Sequence, residues 1–232
     1  MVLPDLRARA TAPELLDLGV PEAEALASLA DLRFVNRWLG NRRSLRRAVA
    51  SHLRPGAGLL DVGCGSCDLL EFLASRADGP LLAVGLDVKA LHLRAAHAHL
   101  RRVVADVRAL PFRPGCFDVV TASLFLHHFD APELPGLLRQ LFALARRALV
   151  VSDLHRSLVP FLFGRAFFPV LFRSRVSVLD GLVSIRRGFL PGELRAAFAA
   201  AGLPSVRIRR RFPYRLVAVV EREPRQPPGA RA

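Results

Sequence analysis

Leu59-Leu60-Asp61-Val62-Gly63-Cys64-Gly65-Ser66-Cys67-Asp68 decides the fold of this 232-residue chain. Two apolar residues run into an acid, two glycines follow with one residue between them, and Leu69 to Ala74 then continues at helical spacing. That order reads as a buried parallel strand, a tight turn and a helix N-terminus. Gly63 and Gly65 let the main chain turn sharply and let a ligand lie directly on the backbone. The stretch is the ligand-side loop of an open α/β sheet.

What the loop lacks narrows the ligand. A phosphate-cradling loop ends in Gly-Lys-Ser/Thr, and Lys89 is the only lysine in the chain. A dinucleotide loop needs a third glycine and normally has no carboxylate ahead of the first. Here Asp61 precedes Gly63 by two residues, and Cys67 and Asp68 stand where the third glycine would fall. An acid there repels a pyrophosphate and attracts a cationic, amino-acid-like ligand. S-adenosylmethionine, with its sulfonium and ammonium, has that polarity.

The chain then repeats the pattern. Leu81 to Asp87, Arg102 to Asp106, Cys116 to Ala122 and Ala148 to Asp153 read as further buried strands, three of them ending in an acid. Acids at the carboxyl ends of successive parallel strands converge on one crevice, where open α/β sheets bind ligands.

Asp61-Val-Gly-Cys-Gly, Asp87, Ala105-Asp106, Phe117-Asp118-Val-Val and Leu126-His127-His128-Phe129 together resemble a class I S-adenosylmethionine-dependent methyltransferase, over roughly Leu59 to Asp153. The resemblance implies a Rossmann-like, doubly wound α/β sheet of seven strands with the last antiparallel. It places the methionine part of the cofactor over Asp61, Gly63, Cys64 and Gly65, the ribose on Asp87, and the adenine between Val88 and Asp106-Val107. Leu124 joins this cofactor set. Cys67 stands where the family usually has glycine. The flanks carry a second resemblance, in Arg33-Phe-Val-Asn36-Arg37-Trp38-Leu-Gly40, Ser152-Asp-Leu-His155-Arg156, Asp180-Gly181, Ser184, Arg186-Arg187-Gly-Phe189 and Pro191-Gly-Glu193-Leu194. These are similar to bacterial methyltransferases related to the quinone-biosynthesis enzymes, in particular those that accompany type III polyketide synthases and methylate phenolic lipids.

Organisation follows from this frame. Residues 1–55 read as an N-terminal helical cap, with helices over Glu14 to Leu18, Glu22 to Phe34 and Arg42 to Leu53, and with Asn36 to Gly40 as the loop touching the crevice. Residues 56–220 form the methyltransferase domain, with helices at 66–77, 89–100 and 131–146. An insertion at about 154–190 precedes a last helix from Pro191 to Ala201. Val206 to Arg210 and Leu216 to Val220 read as an antiparallel terminal pair, and 221–232 as a flexible tail.

Composition bounds the class. Hydrophobic residues make up 52% of the chain, as a packed single domain requires. No secretory signal is read in Met1 to Ala12, and Leu158 to Phe172 falls short of the roughly 20 apolar residues of a membrane span. Three cysteines fit no disulfide framework, so the expected compartment is the cytoplasm. The net charge of +14 raises nucleic acid as a partner. The excess is arginine spread along the chain, dense only at Arg207 to Arg211, and one Trp and one Tyr give no stacking platform. Ser123-Leu124-Phe125-Leu126 also replaces the Asn/Asp-Pro-Pro-aromatic signature of enzymes methylating exocyclic base nitrogens. A small hydrophobic acceptor is therefore expected over RNA, with a non-catalytic S-adenosylmethionine-binding protein as the other alternative.

For catalysis, His127 after the fourth strand is the first candidate base and His155 after the fifth the second. No metal is required for direct displacement by a phenolic oxygen, which is favoured over a ring carbon. His128 is expected to cap the following helix or face the acceptor. Phe161, Phe163 and Phe189 would shape an apolar pocket, and Arg186 and Arg187 would either pair with an anionic acceptor group or form a solvated face. Leu158 to Phe172 is either core, a pocket lid or a peripheral membrane contact. His92, His97 and His99 read as solvated. Cys64 and Cys67 form a CxxC pair, but the order of the later acids favours two small loop residues over a redox site.

Overall fold

The computed structural model describes residues 5–96 and 100–222. Seven strands form one sheet: β1 (Gly58–Val62), β2 (Leu82–Asp87), β3 (Arg101–Val104), β4 (Phe117–Ser123), β5 (Ala145–Leu154), β6 (Arg207–Arg211) and β7 (Arg215–Glu221). Their order is β3-β2-β1-β4-β5-β7-β6, parallel up to β5, with β7 antiparallel to both β5 and β6. This is the expected doubly wound sheet. Every residue of β1 is buried, because helices cover both faces.

Alternation along β1 feeds two cores. Leu60 and Val62 pack in the layer with α6 (Leu134–Leu144) and α9 (Pro191–Ala200). Leu59 faces the opposite layer, with Leu45 and Val49 of α3 (Asn41–Val49) and Leu69, Leu70 and Leu73 of α4 (Asp68–Ala74). β1 lies between β2 and β4, so the chain reverses direction across the sheet at the end of the glycine strand. The crevice opens at that switch point.

The elements differ from expectation at their ends. The helix expected at 66–77 begins at Asp68, because Cys67 takes a left-handed conformation with φ 58°. That geometry gives a reason for the glycine usual at this position: it carries no Cβ penalty there. The helix expected at 89–100 shortens to α5 (Ala90–Arg94). His92 is buried, not solvated, with Nδ1 3.3 Å from an Asp87 oxygen; His97 and His99 lie outside the described residues. Most of the tail expected at 221–232 also lies outside them.

The cap comprises α1 (Leu15–Leu18), α2 (Glu22–Trp38) and α3. The segment 154–190 holds a helical pair, α7 (Leu158–Leu171) and α8 (Arg175–Arg187). Phe161, Phe168 and Ile185 form its own small core. A Cβ on Gly164 or Gly181 would stand 2.6 or 2.7 Å from the Phe168 ring, so glycine at both sites is what lets the two helices close on it. Among the described residues no helix is long and apolar enough to cross a membrane.

Candidate active site

The floor of the crevice is the β1–α4 loop. Gly63 and Gly65 both sit at positive φ (66° and 52°), and a Cβ on Gly63 would lie 2.1 Å from the Phe125 ring. The Gly65 N–H donates to Asp87 Oδ2 at 2.9 Å, and the Lys89 N–H donates to Asp87 Oδ1 at 2.9 Å, so the loop is tied to the end of β2. Asp61 is 2% exposed and accepts from Thr121 Oγ1 at 2.7 Å. Burial pushes its carboxyl up to about 7 against the Thr121 hydrogen bond, and the charges of Asp68 and Asp87 push the same way. Burial also raises Asp68, opposed by Asn36, Arg42 and Arg33. Three crowded carboxylates at a glycine floor are relieved by a cation, which is what a sulfonium and an ammonium supply. Val88, 60% exposed at the end of β2, offers an apolar shelf beside it. The donor set therefore fits S-adenosylmethionine.

Buried polar residues fasten the cap to this floor. Asn36, which lies within α2 and not in a loop, donates to Asp68 at 3.0 Å. Asn41 donates to Asn36 and to Ser123, and accepts from Ser152. Asn36 was expected near the crevice from its position; Asn41 carries no separate sequence signal.

A cavity of about 490 Å³ runs from the floor to the α7–α8 pair. Of the expected cofactor residues it is lined by Asp61, Gly63, Cys64, Gly65 and Leu124. Asp87, Val88, Asp106 and Val107 stand outside it, at the ends of β2 and β3, where the Lys89 ammonium reaches the carbonyls of Leu16 and Asp17. His127, His128, His155 and Phe163 line the cavity. Three expected acceptor residues do not. Phe161 packs into the α7–α8 core, Phe189 is fully buried beneath the Arg9 guanidinium, and Arg186 stands outside the lining. Their places in the wall are taken by Val159, Pro160, Phe168, Phe172 and Ile185.

The histidine pair is held by carboxylates. His127 Nδ1 is 2.7 Å from Asp153 Oδ1, and its Nε2 is 3.3 Å from Glu14 Oε1. His128 Nδ1 is 2.7 Å from Asp17 Oδ2. Burial disfavours the His127 cation, but the charge and hydrogen bond of Asp153, followed by those of Glu14, outweigh it and hold the ring up to about 10. With a carboxylate at each ring nitrogen, His127 keeps both protons at neutral pH. His155 is different: burial, with the charges of Arg210 and Arg156, lowers its pKa. Glu14, His127 and His128 bring ligand atoms within 4.8 Å of one another, a set able to take a divalent ion in exchange for the His127 proton.

Glu14 reaches the cavity because arginines clasp the N-terminal segment. Arg187 donates to the carbonyls of His127, His128, Thr11 and Ala12. Arg9 donates to those of Arg187, His127 and Phe129, and Arg156 to those of Leu6 and Arg7 as well as to Glu193. Cys64 and Cys67 are both buried, with sulfurs 3.3 Å apart. The shared hydrogen bond and burial push the Cys64 thiol well above its usual range, which leaves little thiolate for redox attack.

Residues 59–148 match the family described as "Methyltransferase domain". The chain is 39% identical over 92 residues to the nocamycin O-methyltransferase of Saccharothrix syringae, covering 36% of this chain and 32% of that protein. It is 35% identical over 83 residues to the mitochondrial arginine-hydroxylase NDUFAF5 of Danio rerio, covering 35% and 25%. The chain thus spans from a quarter to about half the length of the curated relatives it matches. Among solved structures, the plantazolicin methyltransferase BpumL in complex with a triazolic analogue and SAH superposes with a TM-score of 0.62 at 16% identity, covering 88% of this chain and 97% of that one, a likeness of fold. The glycine floor and the strand-end acids Asp61, Asp87 and Asp106 all fall within residues 59–148, the part of the chain that is similar to this methyltransferase-domain family.

Proposed function

We propose that the chain methylates a small hydrophobic acceptor, at an oxygen of a phenolic, polyketide- or quinone-like molecule. One observation carries this reading: a single cavity joins the acid-and-glycine floor to a histidine pair and an apolar wall from α7 and α8. When bound, S-adenosylmethionine supplies an electrophilic methyl group. The Gly63 and Gly65 backbone and Asp61 would hold its amino-acid end, and Asp87 and Val88 its adenosine end. The α7–α8 wall would exclude water and align the acceptor.

His155 suits the role of base better than His127. It lines the cavity and is held neutral, whereas His127 already carries the proton it would have to accept. His127 then positions Glu14 and the N-terminal segment. The wall also argues against RNA, since Phe163, Phe168 and Phe172 offer no path for a phosphate backbone. On the outer side of α7, Phe167 and Val170 are 50% and 82% exposed, an apolar face through which a lipid-like acceptor could be collected from a membrane surface. The test is turnover: release of S-adenosylhomocysteine with 4-alkylphenols or alkylated quinones, and NMR of the product to separate oxygen from carbon. Transfer to RNA alone would reject the reading. So would no transfer to any acceptor by a protein that binds S-adenosylhomocysteine.

A further inference from the structure

Arg215 opens β7, and its side chain lines the cavity beside Tyr214, Leu154 and His155. It is 2% exposed, and its Nε and Nη1 are buried without a hydrogen-bond partner. Arg42 and Arg186 also leave Nε without a partner, but among the described residues the other arginines about as deeply buried as Arg215 are fully used. Arg156 and Arg187 each hold two or more backbone carbonyls, and Arg156 also pairs with Glu193. The carboxylate whose charge acts on Arg215 is Asp153. Asp153 is already spent: Oδ1 meets His127 Nδ1 and the Leu154 N–H, each at 2.7 Å, and Oδ2 accepts the His127 N–H.

A guanidinium remains charged at neutral pH even when buried, and leaving it unpaired in an apolar cavity is costly. Such a group persists where a ligand supplies the missing anion, as charge-assisted hydrogen bonds to carboxylate or phenolate are among the strongest available. Of the two arginines the sequence offers for an anion, Arg186 lies outside the cavity lining and Arg187 is spent on backbone carbonyls; Arg215 carries no sequence signal, since it sits in an ordinary strand pattern.

We propose that Arg215 is the specificity-determining residue of the acceptor pocket, and that the acceptor is a hydrophobic molecule carrying an anionic oxygen. The proposal rests on the acceptor pocket described above and adds its charge. An acid on an apolar body meets Arg215 with its oxygen and the α7–α8 wall with its alkyl or aromatic part. Two sources of such an oxygen exist, a carboxylate and a phenolate, and they differ in pH dependence.

The experiment uses calorimetry on the full chain saturated with S-adenosylhomocysteine. A 4-alkylbenzoate, its matching 4-alkylbenzamide and a 4-alkylphenol are titrated at pH 7 and pH 9. If the oxygen is a carboxylate, the benzoate binds about 10- to 100-fold more tightly than the benzamide at both pH values. If it is a phenolate, the phenol gains affinity from pH 7 to pH 9 and overtakes the benzoate. In Arg215→Met either preference disappears, while S-adenosylhomocysteine affinity is unchanged. Arg215→Lys keeps part of it, which a merely structural role would not do. The proposal is overturned if the wild type shows neither preference, or if the preference survives in Arg215→Met. It is equally overturned if Arg215→Met loses S-adenosylhomocysteine binding, for the anion is then the cofactor's own carboxylate. A protein that shows the preference but transfers no methyl group keeps this subsite and loses the reaction proposed for it.

Discussion

Replacing Asp61 with Asn should make the protein more stable, and increasingly so as pH rises. The Asp61 carboxyl is raised from 3.8 to about 7 by burial among Asp68 and Asp87. A native pKa above the unfolded value means that the folded state holds the proton more firmly. The contribution is fully present below 3.8 and is lost as pH rises to about 7. Each unit corresponds to about 1.4 kcal/mol, so the wild type gives up about 4 kcal/mol across that window relative to a neutral side chain. Asn keeps an oxygen to accept the Thr121 hydroxyl, now at 2.7 Å, and does not titrate. From pH 5.5 to 7 about one and a half units remain, so the advantage of Asp61→Asn should grow by about 2 kcal/mol between pH 5.5 and 8.5, or roughly 4–8 °C in Tm. Urea and thermal unfolding of both proteins at the two pH values measures the difference. Calorimetry with S-adenosylhomocysteine measures its counterpart: wild-type affinity rises with pH through 7, because the ligand's ammonium needs the ionised form, and the variant is weak and flat. An Asp61→Asn advantage that is the same at pH 5.5 and 8.5 would refute the reasoning, since the carboxyl would then not titrate in the folded protein near neutrality.

Gly63→Ala puts a Cβ 2.1 Å from Phe125 at a φ of 66°, so it should cost about 1–3 kcal/mol in denaturant unfolding and abolish S-adenosylhomocysteine binding. Arg187→Met removes four hydrogen bonds to backbone carbonyls and should expose residues 9–14 to limited proteolysis, with a loss of about 3–5 kcal/mol in stability. His155→Gln should lower kcat by about 10²- to 10⁴-fold with cofactor affinity intact, whereas unchanged turnover would leave alignment as the main catalytic contribution. The His127 ring is raised from 6.5 to about 10, so its stabilising contribution is complete below 6.5 and fades as pH rises through 10. His127→Gln should accordingly flatten the alkaline limb of the stability profile measured by thermal unfolding.

The sheet and its floor were legible in the sequence because one residue pattern does two jobs there. Leu59-Leu60-Asp61 is apolar on both faces for a covered strand and acidic at its end for a ligand, and no ordinary loop needs both. His127 and His155 could be placed for the same reason, since His155 directly follows β5 and His127 lies four residues past the end of β4. Glu14 and Arg187 could not. Their roles arise from contacts between residues more than 100 positions apart, and an arginine that binds carbonyls looks the same in sequence as one facing solvent. Phe161, Phe163 and Phe168 share one helix, and only the position of α8 decides which face the cavity receives. Arg215 was hidden most completely, as what marks it is the lack of a partner.

The clasped N-terminal segment also sets an order of events during synthesis. Glu14, Thr11 and Ala12 are made about 170 residues before their anchors, Ser184 and Arg187. Closing so long a loop early has no contact to reward it, so the sheet assembles first and the segment docks last. Until that moment His127 lacks one of its two carboxylates and the cavity lacks one wall. The binding chamber is therefore finished by a segment made early, and only after Arg187 has left the ribosome.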